Sequence, residues 1–486
     1  MDGTAIELEF AHARQAMSPR FAPPPTPLRS RLIHGAVLAV WMLLFVRAFG
    51  GGGVFAWSAG LAYIGYDTVL LAFVFVQTLA LLQPVAQTDG TRLATPPLPA
   101  TVIVAAHNEA GALPVTLAAL FAQASPADTI LVADDGSTDG TAALLLEYGL
   151  APPVPGTLSG RSPVRPALRW LRLPHGGKAQ ALNVACAVAE TELVLTVDAD
   201  TLLEPGAMGA MQAAFAADPT LVAATGVLSP TCGPTVSGRL LQWFQTYEYV
   251  RNFLSRYAWA RVDGLLLISG AFACYRRAAL VAVGGFDPDC LVEDYELTHR
   301  LRDQAVRRGL VWRTGVVGAA RARTDAPATA AAFLRQRRRW FGGFLQTQLW
   351  YRHMVGNSAY GRLGTAMLPV KAIDTMQPVY GLTGVVLLLW ALAHGSLDVV
   401  VPVAGVIGAK LALDVAFHLW SLHLYRRWLG CSTGLSLGPA LLAALIEPFT
   451  FQILRHSGAA LGWVSFLTGS RSWGAVTRQG VVAKGT

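Results

Sequence analysis

Two carboxylates close an apolar run near the middle of this chain: Leu193-Val194-Leu195-Thr196-Val197 leads into Asp198-Ala199-Asp200. A run of this kind reads as a buried parallel strand, and ligands of open α/β sheets bind beyond the C-terminal ends of such strands. If the strand turns there, both aspartates can approach one divalent cation. Hard oxygen ligands suit Mg²⁺ or Mn²⁺, and Mg²⁺ commonly takes one or two carboxylates together with substrate phosphates. The alternative is a solvated strand end.

Other stretches carry related chemistry. Thr129–Ala133 ends in Asp134-Asp135-Gly136-Ser137-Thr138-Asp139-Gly140. Strands that end in carboxylates at one sheet edge define a pocket for a metal or for ribose and base. The same residues also make a tight turn and a helix cap. Lys178 follows two glycines at a helix start, where its charge and the backbone N–H groups could meet a diphosphate, or where it is simply solvated. Val292-Glu293-Asp294 opens a further helix. A carboxylate there could take a proton from an attacking hydroxyl, or could merely complement the macrodipole. In Gln336-Arg337-Arg338-Arg339-Trp340, arginine can clamp a pyrophosphate and tryptophan offers a flat face to a sugar ring. That stretch equally suits a basic interfacial helix with an aromatic anchor.

These residues need elements to hold them. Thr101–Ala106, Thr129–Ala133, Leu168–Leu173 and the run from Leu193 read as strands. Helices are expected between them at about 113–123, after Gly140, and from Lys178 to about Ala189, with a Pro/Gly loop at 150–166. This βαβα rhythm predicts a doubly wound, mostly parallel α/β domain over residues 93–330.

The remainder is membrane-like. Of 486 residues, 53% are hydrophobic and 14% charged, against a usual charged share of roughly 25%, and the mean hydropathy is +0.43. A formal net charge of +8 points to Lys/Arg on the cytoplasmic side of a membrane ahead of any nucleic-acid partner. The five cysteines show no metal-type spacing, so a reduced compartment without disulfides is expected. The predicted organisation is a mobile N-terminal arm at 1–31 and two transmembrane helices within 32–92. The α/β domain at 93–330 is followed by amphipathic interface helices at 331–371, a transmembrane region at 372–470 and a cytoplasmic tail at 471–486. Residues 436–469 fall short of two spans of ~20 residues each. They also carry Glu447-Pro448 and Arg455-His456, which predicts a broken or re-entrant segment or one interfacial helix.

Taken together, Asp134-Asp135-Gly136, Lys178 with Asn183, Asp198-Ala199-Asp200, Val292-Glu293-Asp294 and Gln336-x-x-Arg339-Trp340 resemble the motif set of the family-2 glycosyltransferases. The resemblance is to their membrane-embedded processive branch, which makes cellulose, chitin, hyaluronan and poly-N-acetylglucosamine. One departure is Val292, where the family usually has threonine. The resemblance implies a GT-A fold and an inverting hexosyl- or N-acetylhexosaminyltransferase that uses a UDP-sugar. Glu109, Asp134 and Asp135 would contact the uridine. Lys178 and Asp198 would face the donor, and Asp200 with Asp198 would hold Mg²⁺ or Mn²⁺. Asp294 would be the general base, and Gln336, Arg339 and Trp340 would lie at the diphosphate and acceptor. Ser269-Gly270-Ala271-Phe272 resembles the acceptor-side segment, its small residues letting a sugar chain approach the backbone.

The implied protein is a multi-pass enzyme of the inner or plasma membrane with a cytoplasmic catalytic domain. It would extend a β-linked polysaccharide and pass it between its own helices, with membrane lipid around it and accessory export proteins as candidate partners. Trp243, Tyr247, Gln377, Tyr380, Asp414 and His418 are candidates to line such a path. Two alternatives stay open. One is transfer of a single sugar to a lipid acceptor such as ceramide or diacylglycerol. The other is a non-catalytic membrane scaffold, which the intact acidic motifs argue against.

Overall fold

The computed structural model describes residues 3–50, 53–83, 97–429 and 436–469. The expected tail at 471–486 and most of the linker before residue 97 lie outside the described residues.

Eight strands form one sheet: β1 (Ala100–Ala106), β2 (Thr129–Asp135), β3 (Leu168–Leu173), β4 (Leu193–Asp198), β5 (Thr201–Leu203), β6 (Leu221–Thr231), β7 (Phe272–Arg276) and β8 (Arg313–Asp325). Their order is β3-β2-β1-β4-β7-β6-β8-β5. The half β3-β2-β1-β4 is wholly parallel, as the βαβα rhythm predicts. Val102, Ile103, Val104, Leu193, Val194 and Leu195 are fully buried, because apolar clusters cover both faces of the sheet. Continuous apolar runs belong in strands of this kind. The other half is mixed. β7 is antiparallel to β4 and β6, β8 runs parallel to β6, and β5 is antiparallel to β8. The link from β6 to β7 is the 26-residue helix Val236–Arg261, which packs on apolar helices and returns the chain antiparallel.

Four helices among the described residues are long and apolar enough to cross a membrane: Leu28–Ala48, Val54–Leu82, Leu363–Ala393 and Leu397–Leu429. Leu437–Phe449 and Phe451–Leu467 qualify only as a pair, bent by 48°. The break falls at Glu447-Pro448-Phe449, where the sequence placed an obstacle to a clean span. Arg251 of the Val236–Arg261 helix donates to Glu447 there, so the acid is paired rather than left facing lipid.

Two segments differ from their sequence reading. The N-terminal arm, expected to be mobile, forms helix Gly3–Met17 and docks on the catalytic domain. Arg14 donates to the Gly284 carbonyl (3.0 Å), and Arg20 pairs with Asp287 and Asp289 (2.9 and 2.7 Å). The receiving surface is Gly284-Gly285, whose φ values are +79° and +62°. A Cβ on Gly284 would come within 2.5 Å of the Arg14 backbone nitrogen, so the fit depends on two glycines far away in sequence. Helix Ala330–Trp350, expected along the membrane interface, packs lengthwise on Phe451–Leu467. Gly458 and Gly462 allow the approach: a Cβ on Gly462 would lie 2.9 Å from the Gly342 nitrogen.

Candidate active site

The C-terminal ends of the parallel strands open into a cleft of ≈ 1330 Å³. β4 stops at Asp198, and Ala199-Asp200 turns the chain away to β5. The turn is pinned by the Thr116 hydroxyl, which donates to the Ala199 carbonyl (2.6 Å), and by the Asp325 amide, which donates to the Asp200 carbonyl (3.2 Å). Asp198 and Asp200 both line the cleft, joined by Asp325 from the end of β8. Burial, reinforced by the charges of Asp198 and Asp325, pushes the Asp200 carboxyl up to about 8. A buried carboxylate cluster of this kind is short of positive charge, and its all-oxygen donor set fits a hard divalent cation.

Lys178 answers part of that charge. It opens helix Lys178–Val188, pairs with Asp198 and lies 3.9 Å from Glu293. Burial opposes its charge, but the two carboxylates hold the ammonium above the ordinary lysine range. The solvated-lysine reading therefore gives way to a partly buried, paired one. Asn183, five residues further along the helix, clamps the backbone of Phe286 through both amide atoms (2.7 and 2.9 Å).

The two adjacent aspartates of β2 separate. Asp135 lines the cleft and accepts the Gly176 and Gly177 amides (2.7 and 3.0 Å) and His175 Nδ1 (2.9 Å). Asp134 does not reach the cleft. It is 1% exposed and accepts the Ser137 amide (2.9 Å) and the Trp170 indole N–H (3.3 Å). Successive strand residues face opposite sides, so Asp134 shapes the turn beneath. The expected nucleotide contact of Asp134 thus has no counterpart in the cleft lining, where Asp135 stands instead. Glu109 is buried at the cleft wall. The neighbouring Asn108 sits at φ +57°, and its side-chain oxygen accepts the Thr138 amide (2.8 Å), which ties the loop after β1 to the loop after β2. His107 and His175 stack at 4.2 Å, and with Asp135 they form a group whose ligand atoms lie within 4.8 Å of one another. Asp135 already accepts two amides and His175 there, so this trio is a less open cation site than Asp198 and Asp200.

Asp294 lies at the start of helix Glu293–Arg307, among three first-turn acids. Its carboxylate accepts the Gly270 amide (2.7 Å) and the Tyr295 amide (2.8 Å). A Cβ on Gly270 would sit 3.1 Å from Asp294 Oδ2. The smallness expected there for a sugar chain thus makes room for the acid itself. Beside it, burial raises the Glu293 carboxyl, an effect that Lys178 partly offsets.

Gln336, Arg338, Arg339 and Trp340 line the cleft from helix Ala330–Trp350. Arg337 instead donates to the buried Glu248 (2.7 Å), while its guanidinium stacks on Trp340 at 4.6 Å. Cleft residues that escaped the sequence reading include three titratable ones. Asp325 follows the same pattern of a strand ending in a carboxylate and could have been found by it. His175 precedes the glycines already singled out. Arg256, on the Val236–Arg261 helix, carries no sequence signal.

The family model described as "Glycosyltransferase like family 2" matches residues 96–343, just over half of the chain. The chain belongs to that family. A poly-β-1,6-N-acetyl-D-glucosamine synthase from Staphylococcus epidermidis is 27% identical over 251 residues, covering 50% of this chain and 53% of the relative. One from Staphylococcus aureus (strain MSSA476) is 28% identical over 251 residues, covering 50% and 54%. The chain spans about half the length of the curated relatives it matches. Among solved structures, a mannosyltransferase from Pyrobaculum calidifontis, in complex with GDP-Man and Mn²⁺, aligns with TM-score 0.53 and 21% identity. It covers 81% of this chain and 99% of that one. The fold of this family-2 glycosyltransferase is thus GT-A, and its apolar helices make it a membrane protein.

Proposed function

We propose that this family-2 glycosyltransferase transfers sugar from a UDP-sugar to a growing β-linked polysaccharide, with inversion, and helps pass the product across the membrane. One observation carries the reading. Asp198, Asp200 and Asp294 share a cleft with Gln336, Arg339 and Trp340, and one wall of that cleft is helix Ala330–Trp350, which packs on Phe451–Leu467 of the bent apolar pair. A product leaving on that side meets membrane helices first. The polysaccharide synthases among the relatives support a sugar-polymer acceptor, and N-acetylglucosamine is the first sugar to test.

In this mechanism Asp294 takes the proton of the acceptor hydroxyl, which attacks the anomeric carbon as UDP leaves. The two backbone amides on Asp294 hold it aimed. A single displacement inverts an α-linked donor to a β linkage, so one base suffices, unlike the two-carboxylate hydrolases. Mg²⁺ or Mn²⁺ held by Asp198 and Asp200 would supply positive charge to the diphosphate. Arg339 adds charge at the leaving group, Asp135 and Glu109 face the nucleoside end, and Trp340 offers the sugar a flat apolar surface. The catalytic domain would lie on the cytoplasmic side, where the Lys/Arg-rich flanks of the apolar segments belong.

Incubating the purified protein with a panel of UDP-sugars and sizing the products tests this. Polymer from at least one UDP-sugar is expected. An organic-extractable product bearing a single sugar, with no polymer at any donor concentration, would favour the lipid acceptor and leave the family assignment standing.

A further inference from the structure

Arg256 lines the cleft that holds Asp294 and Trp340. It stands near the end of helix Val236–Arg261, which packs both on apolar helices and on β6 and β8 of the sheet. Its guanidinium lies 4.6 Å from the centre of the Phe253 ring. Nε and Nη1 are shielded from solvent, and neither has a hydrogen-bond partner among the described residues. Buried polar groups are almost always paired, and a native exception marks a place where something else supplies the acceptor atoms.

Arg335 and Arg338 also line the cleft, from helix Ala330–Trp350, and the remaining cations nearby are engaged. Lys178 is paired with Asp198, Arg339 reaches the Leu291 carbonyl (3.4 Å) and Arg337 serves Glu248. Burial lowers the Arg256 guanidinium to about 10, and the charges of Tyr249 and Asp294 partly offset that. Arg256 and the proposed base Asp294 line the same cleft.

We infer that Arg256 is an acceptor-binding residue, its free N–H groups donating to the hydroxyl or ring oxygens of the sugar whose hydroxyl meets Asp294. The inference rests on Asp294 being the base of a sugar transfer. Sugar oxygens accept hydrogen bonds without adding charge. A phosphate would bring more negative charge beside Glu293 and Asp294, so an uncharged sugar fits the spot better. Tyr249, Asn252, Leu267 and Phe344 line the same cleft, a mixed polar and apolar surface of the sort that holds a sugar ring. The Arg256 side chain would then fix the acceptor's orientation while Trp340 supplies area without fixing one hydroxyl pattern.

The test uses the full-length protein loaded with UDP and titrated with β-linked oligosaccharides of glucose and of N-acetylglucosamine. The wild type should bind at least one of them. Arg256→Met keeps the volume and removes the donors. It should weaken that binding by at least about tenfold, the effect of losing hydrogen bonds from a charged donor, while UDP affinity stays within about twofold. Arg256→Lys should fall between the two. Three results would overturn the inference: no oligosaccharide binding to the wild type; Arg256→Met within about twofold of it; or a parallel fall in UDP affinity and melting temperature, which marks a purely structural role. A titration with dodecyl phosphate that binds and loses its affinity in Arg256→Met would also overturn it, by moving the acceptor to a lipid phosphate. Failure of the transferase reading is seen separately, as absence of UDP release by the wild type from every UDP-sugar.

Discussion

In the proposed mechanism, the residues of the cleft divide into groups that bind and one, Asp294, that takes a proton. Asp294→Asn keeps the shape but removes the base, and its one oxygen can accept only one of the two amides that the carboxylate holds. Transfer should fall by ~10²–10⁴-fold, the usual worth of a positioned general base, with UDP affinity nearly unchanged. Near wild-type turnover would remove Asp294 from the mechanism. Asp200→Ala should lose activity and metal-dependent UDP affinity together, because cation and diphosphate bind as a unit. Activity that persists in excess chelator would contradict this. Much of the site was legible because its acids end apolar runs, and a strand end at a sheet edge is where a side chain meets ligand. The Asp134–Asp135 pair shows where legibility stopped: one residue had to face inward, and the sequence does not say which until β3 places Trp170 beneath Asp134. Arg256 was illegible for a different reason. A basic residue on a long helix reads as solvated until the packing of that helix is known.

At the scale of elements, helices far apart in sequence hold the base loop and the cleft wall. The loop from Val283 to Asp289 is gripped by Arg300, which donates to the carbonyls of Val283 and Gly285 (2.7 and 2.6 Å), by Asn183, and by Arg14 and Arg20 of the N-terminal segment. Replacing both Arg14 and Arg20 with alanine should loosen this loop, and kcat should fall more than UDP affinity. Unchanged kcat would show that the N-terminal helix is only an ornament of the fold. The cleft wall depends on the crossing of Ala330–Trp350 with Phe451–Leu467. A methyl group at Gly462 meets backbone closer than 3.0 Å, so Gly462→Ala should destabilise the protein by about 1–3 kcal/mol through overpacking. This would be read as a lower melting temperature in detergent, and an unshifted one would contradict the packing. The parallel half of the sheet was legible from its apolar runs and turn residues. The mixed half was not, since β5 has three residues and a strand's direction is set by where its connection returns.

Across the whole molecule, ion pairs join the GT-A domain to apolar helices. Glu248 receives Arg337 (2.7 Å) from one side and Arg455 (3.8 Å) from the other, linking the cleft wall to the bent pair. Of the residues expected to line a product path, Tyr247 and His418 lie 5.0 Å apart between helices. His418 also meets Arg251 (2.8 Å), and Asp414 is paired with Lys410. These polar groups face one another within the bundle, where intramembrane charges belong. The bend at Glu447-Pro448 was foreseeable from length and charge. If residues 436–469 enter and leave on one side, a cysteine placed at residue 480 should react only with reagents on the cytoplasmic face; labelling from outside would refute that topology.

The central claim is that this membrane-bound cleft builds a β-linked polymer from a UDP-sugar. It is tested most directly by giving the full-length protein in lipid vesicles radiolabelled UDP-N-acetylglucosamine and Mg²⁺ or Mn²⁺, then sizing the product before and after a β-N-acetylhexosaminidase. The account predicts a high-molecular-weight product that the β-specific enzyme degrades and that Asp294→Asn does not make. A product resistant to that enzyme and cut by an α-specific one, or equal synthesis by Asp294→Asn, would contradict it.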